Sequence, residues 1–143
     1  MKHSIAILLL IGLVSVDCRN KGCTDPLSPD FDAKAIKDNG SCTYDGRLII
    51  WFDELSSDNM ENLWINSLSV YVDGSLVGTI AVDEWTNGQP NCSNGGGVRA
   101  TVNTDGADSK LVQYTVQDDL GFTIQHGTVT VSNSNCAWVE VVY

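Results

Sequence analysis

Three kinds of side chain in this sequence have chemistry to offer: thiols, carboxylates and indoles. Cysteines stand at positions 18, 23, 42, 92 and 136. An odd count leaves one thiol over once the others pair. A four-cysteine zinc site is the competing use. It is disfavoured because there is no Cys-x2-Cys pair, and the spacings of 19, 50 and 44 from Cys23 onward are not those of a zinc ribbon. Carboxylates occur as the adjacent pairs Asp53-Glu54, Asp83-Glu84 and Asp118-Asp119. Two carboxylates flanking a bond are the machinery of a glycosidase, but adjacent acids in turns are normally solvated. Asp25, Asp30, Asp32 and Asp38, with Asn39, supply the hard oxygens that calcium prefers. Asp30-x-Asp32 is not continued as an EF-hand loop, and the alternative use of these residues is to cap their own turns. The only histidines are His3 and His126. No Gly-x-Ser-x-Gly elbow, P-loop or His-Glu-x-x-His is present. Gly95-Gly96-Gly97 lacks the Lys-Ser/Thr of a phosphate loop and reads as a flexible loop. The expectation is a protein that is not an enzyme and needs no cofactor, calcium being the one cation to consider.

The indoles point to binding. Trp51, Trp64 and Trp138 fall in runs with strand character, where packing is the default. Trp85 opens the longest loop, Glu84 to Gly97, and is followed by Asn87, Gln89, Asn91 and Asn94. A loop tryptophan beside amides can stack on a sugar or anchor a protein. The alternative is that Trp85 closes the end of the fold over a Cys92–Cys136 bridge.

These groups must be held by short strands. From Arg47 the apolar runs are Arg47 to Phe52, Leu63 to Val72, Ser75 to Val82, Val98 to Asn103, Lys110 to Gln117, Phe122 to Ser132 and Cys136 to Tyr143. Asp73-Gly74 between two of them predicts a type I′ hairpin turn, which needs positive φ at both residues. Seven such strands with polar turns predict an antiparallel β-sandwich. Asp53 to Asn62 has room for one helical turn at most. In the sixth strand Phe122, Ile124 and His126 share a parity that Val129 and Val131 break, so a bulge is expected at Gly127.

The chain begins with Met1-Lys2-His3 and an uncharged apolar run, Ile5 to Val16. A basic start followed by a run too short to span a bilayer reads as a secretory signal. Export favours disulfides. With Cys18 set aside, Cys23–Cys42 and Cys92–Cys136 are the pairs that stay within one module. The organisation expected is therefore a signal over 1–17, a spacer over 18–22, a disulfide-closed acidic segment over 23–45 and a sandwich over 46–143. Eight Lys and Arg against eighteen Asp and Glu leave a net charge of −10. That argues against nucleic acid and anionic headgroups as partners.

Three resemblances extend this reading. The apolar run ending at Cys18 resembles a bacterial lipoprotein signal, in which that cysteine becomes the lipidated first residue. Cleavage near Val16 to give a soluble product is the alternative. Gly22-Cys23-Thr24-Asp25, Phe31-Asp32-Ala33 and Asp38-Asn39-Gly40-Ser41-Cys42 resemble a short cysteine-bounded module of secreted and surface proteins of Bacteroidota. Val70 to Ile80, Pro90 to Cys92, Gly127 to Val131 and Cys136 together resemble a small sandwich module of Bacteroidota envelope proteins. That resemblance implies an immunoglobulin-like or transthyretin-like fold acting as adaptor or stabiliser. Arg19-Asn20-Lys21 differs from the acidic residues that often follow the cysteine in surface-displayed lipoproteins of this kind.

The function expected is a lipid-anchored, non-catalytic binding or structural module of the cell envelope, with an outer-membrane lipoprotein as the address and a secreted or periplasmic soluble protein as the alternative. Its partner would be a protein or a glycan. The rival functions are a carbohydrate-binding module using Trp85 and its amide-rich loop, and a calcium-stabilised spacer.

Overall fold

A computed structural model gives the fold and describes residues 20–93, 95–133 and 135–143. The signal segment, Cys18 and Asn94 lie outside the described residues.

Residues 20–44 form a small module with two short parallel strands, β1 (Lys21–Gly22) and β2 (Lys37–Asp38). Its turns are made locally. Asp25, Asp32, Asp38 and Asn39 each accept a hydrogen bond from the backbone N–H two residues on, the turn chemistry expected of Asx side chains. Cys23 is fully buried and bridged to Cys42.

The sandwich follows: β3 (Asp45–Trp51), α1 (Glu54–Asn62), β4 (Ser67–Val72), β5 (Ser75–Ala81), β6 (Val98–Asn103), β7 (Ser109–Asp118), β8 (Thr123–Ser132) and β9 (Cys136–Glu140). One sheet has the order β6-β3-β9 and the other β5-β4-β7-β8. All pairings in the two sheets are antiparallel except β3 with β9, which run parallel. The first, fourth and seventh sandwich strands thus share a sheet. The immunoglobulin order instead groups the first with the second, fourth and fifth, so the strand order here is not the immunoglobulin one.

Alternation builds the core. Leu48, Ile50 and Phe52 from one sheet meet Leu68, Val70, Val112, Val116 and Val131 from the other. Ile49 and Trp51 point the opposite way yet are also buried. The outer face of the three-stranded sheet is therefore covered, and the cover is the long loop. From the end of β5 it runs down that face, where the Thr86 N–H bonds the Phe52 carbonyl at 3.0 Å. Trp138 Nε1 donates to the Pro90 carbonyl at 3.0 Å, and Cys92 is bridged to Cys136 at the start of β9. The loop then doubles back to β6. The run Gly95-Gly96-Gly97 is close-packed rather than slack: a Cβ on Gly97, whose φ is 87°, would come within 2.7 Å of the Ile50 carbonyl, and one on Gly96 within 2.2 Å of Thr86. The flexible-loop expectation is corrected by this strap.

Asp73 and Gly74 have φ of 47° and 78°, the type I′ values. The bulge in β8 lies elsewhere than expected. Val116 pairs with Gln125 and Gln117 with Thr123, so the extra residue is Ile124 rather than Gly127. Gly127 is needed for another reason: the Tyr114 ring lies over it, within 3.1 Å of any Cβ.

The segment expected to hold one helical turn forms nine residues of helix. Asp53 caps it, accepting from the Ser56 N–H at 2.9 Å, and Glu54 sits in the first turn where the helix dipole favours an anion. The inner face is secured by Met60, fully buried, and by Ser57 Oγ on the Val82 carbonyl. At its other end the Trp64 N–H bonds the Glu61 carbonyl and the Ile65 N–H the Met60 carbonyl. This is a Schellman stop, closed by the buried pair Met60 and Ile65. The left-handed position in it belongs to Trp64, at φ 63°. Glycine normally fills that position, because other residues lose about 1–2 kcal/mol there. Trp64 was expected to pack within a strand; instead it precedes β4 and is 86% exposed.

Candidate functional site

The sandwich has two unlike ends. At the near end, the 20–44 module docks: Asn133 Nδ2 donates to the Leu27 carbonyl, and the Thr104 N–H to the Tyr44 carbonyl. Within it Tyr44 Oη donates to Asp25 Oδ2 at 2.6 Å. That bond, with the Leu27 N–H, holds the Asp25 carboxyl below its ordinary range, and the same carboxylate pushes the Tyr44 phenol up. The five calcium candidates do not form a cage. Asp30 accepts from Thr43 Oγ1, the other four serve their turns, and among the described residues no three acids, histidines or cysteines converge on a cation position.

At the far end the strands deliver α1, the root of the strap, the β7–β8 turn and residues 141–143. The carboxylate pairs all lie here and are spent on structure or left to solvent. Asp53 caps α1, with its carboxyl held below its ordinary range by the Ser56 N–H. Asp118 Oδ1 accepts from the Leu120 and Phe122 N–H groups, and Asp119 Oδ2 accepts from Asn66 Nδ2 at 2.9 Å. His126, on the outer face opposite Thr115, is exposed.

Trp85 is 38% exposed and lies between two grooves. One, of about 580 Å³, has Trp85 facing Gly95, Gly96, Gly97 and Arg99, with β5 beneath. The other, of about 360 Å³, joins Trp85 to Asn87, Trp51 and Leu55. Gln89 and Asn91 line neither, and Asn91 Oδ1 is engaged by the Ser93 N–H. Among the described loop amides, only Asn87 stands with Trp85. The indole beside the Cys92–Cys136 bridge is that of Trp138, not Trp85.

The most exposed aromatic surface is one the sequence reading did not single out. Leu63, Trp64, Leu120 and Phe122 are 60%, 86%, 79% and 68% exposed. Asn66 Nδ2 bonds both the Trp64 carbonyl and Asp119, which draws the helix stop and the β7–β8 turn together. Residue type gave a signal in Leu63-Trp64 and Leu120-x-Phe122; what it lacked was the knowledge that these residues lie outside the strands, between α1 and β4 and between β7 and β8.

The two disulfides fit a domain folded outside the reducing cytoplasm; among the described residues no helix is long and apolar enough to cross a membrane. Compared with protein-family models, curated proteins and solved structures, the chain has no match.

Proposed function

We propose that this protein is a non-catalytic binding module of the cell envelope, held by lipid at Cys18 and presenting the far end of its sandwich to a partner. One observation carries the reading: the chain enters the fold at the near end, through the disulfide-closed module, while α1, the strap root and the β7–β8 turn gather at the opposite end. Strands of up to ten residues separate the ends by about 30 Å. An anchor before Cys23 then leaves the far end outward. The module works as a pedestal, because its bridge and Asx turns fix how the chain leaves the anchor.

A carbohydrate-binding role at Trp85 keeps one favourable observation, the groove it shares with Asn87. A calcium spacer is less well supported, since its carboxylates are dispersed. The test is fractionation with intact-mass measurement of the mature chain, beside Cys18→Ser. The reading expects a membrane-bound protein beginning at Cys18 with acyl mass, lost in the variant, and a protein partner that copurifies after detergent extraction. A soluble, monomeric product starting near Asp17 contradicts it.

A further inference from the structure

The far end is polarised in charge. Nine of the eighteen acids lie there: Asp53, Glu54, Asp58, Glu61, Asp83, Glu84, Asp118, Asp119 and Glu140. Of the described cations, Lys21, Lys34 and Lys37 belong to the small module and Arg47 and Lys110 to the near half of the sheets. Arg99 is turned onto the Gly95 carbonyl. Among the described residues the one ion pair joins Lys110 to Asp105, at the near end. Among the described residues no far-end carboxylate forms an ion pair, and the one cation at that end, Arg99, shares a groove with Glu84 on the strap side.

In this field stands the apolar tip of Leu63, Trp64, Leu120 and Phe122. Its backbone is fully determined. The Schellman bonds fix Trp64, and the two N–H groups on Asp118 Oδ1 fix Leu120 and Phe122. Trp64 occupies a left-handed position where glycine would relieve strain and remove an exposed indole together. Strain of this kind, retained at a surface residue, marks a position kept for what the side chain touches. A preorganised aromatic patch also loses little freedom on binding.

We infer that this tip docks a polypeptide segment of the partner that pairs lysine or arginine with aliphatic or aromatic side chains. The inference rests on the binding-module reading above and specifies its surface and partner chemistry. The apolar side chains would cover Trp64, Leu120 and Phe122, while the cations meet Glu61, Asp83 and Asp119. Anionic lipid and nucleic acid are repelled by the same field, and a second copy would bring its own nine acids against these.

The test uses the mature chain with two synthetic twelve-residue peptides, one alternating Lys with Leu and Phe, the other carrying Glu in place of Lys. NMR shifts of the Trp64 indole and of the Leu120 methyls report the contact. The expected result is saturable binding of the basic peptide that shifts both groups and weakens with salt. In Trp64→Gly it should fall about thirtyfold or more, with a melting temperature equal or higher. Equal binding of the acidic peptide overturns the inference, as does undiminished binding in Trp64→Gly or a complete lack of binding. Self-association through the tip, or its insertion into neutral phosphatidylcholine vesicles, would replace the partner proposed. If the peptide instead shifts Trp85 and Asn87, the binding-module reading stands and this surface is wrong.

Discussion

Removing the Cys92–Cys136 bridge should cost more stability than removing Cys23–Cys42, and the structure says why. The bridges close loops of 44 and 19 residues. In the chain-entropy account they restrain the unfolded chain by about 4 and about 3 kcal/mol respectively. That difference alone is modest. The larger effect lies in the folded state, because Cys92 holds the strap on the outer face of the three-stranded sheet. Ile49 is fully buried and Trp51 is 7% exposed under it. Freeing the strap uncovers both, and a buried side chain of this size loses about 1.5–3 kcal/mol when exposed. The pair Cys92→Ser/Cys136→Ser should therefore lose several kcal/mol more than the pair Cys23→Ser/Cys42→Ser. Urea unfolding of both variants measures this. Hydrogen exchange separates the two contributions: β3 amides and the Trp51 indole should lose protection in the first variant and keep it in the second. Equal losses, or a Trp51 that stays protected once Cys92 is free, would refute the argument that the strap is held by its bridge.

Three further outcomes follow. Gly46→Ala should destabilise by about 1–3 kcal/mol in urea unfolding, because the new methyl meets the Val131 side chain and the Ser132 carbonyl within 2.6 Å; an unchanged midpoint would mean that β8 yields. The Asp25 carboxyl, held below its ordinary 3.8, contributes stability above that pH that is lost as pH falls through its lowered value. The Tyr44 phenol, pushed above 10.0, contributes stability below that pH that is lost as pH rises through its raised value. A stability–pH profile of Tyr44→Phe should lack the alkaline loss and show a weaker acid one; a profile matching the wild type contradicts the pair. Trp85→Ala should lower the melting temperature more than Trp64→Gly does, because Trp85 is 38% exposed and Trp64 86%. Thermal denaturation of the two variants decides, and the reverse order would return Trp85 to the role of a free binding residue.

Much of the sandwich was legible because two-residue periodicity marks a half-buried strand, and Val98 to Asn103 was read to the residue. Asp73-Gly74 was legible because so few residues accept positive φ twice in succession. The Ile124–Val129 parity break announced a bulge, but alternation tells only that one residue is extra, not which, and the visible glycine drew the assignment away from Ile124. The helix was missed because nine residues with three buried positions give almost no periodicity. Its cap, Asp53, reads in sequence as half of the acid pair Asp53-Glu54. Trp64 was missed because the residue type argues against a left-handed stop. The strap was hidden for a different reason: a run such as Leu48 to Phe52, buried on both faces, looks the same in sequence whether its second cover is a sheet or a loop.

The claim that the protein is held at one end and binds at the other is tested most directly by site-specific photo-crosslinking in cells. Benzoylphenylalanine replaces Trp64 or Phe122 at the far end, Asp105 at the near end, or Leu111 on the outer sheet face. One partner of constant mass joined through Trp64 and Phe122, with none through Asp105 or Leu111, is the result predicted. A partner joined through Asp105 or Leu111 and not through the far end would contradict the account.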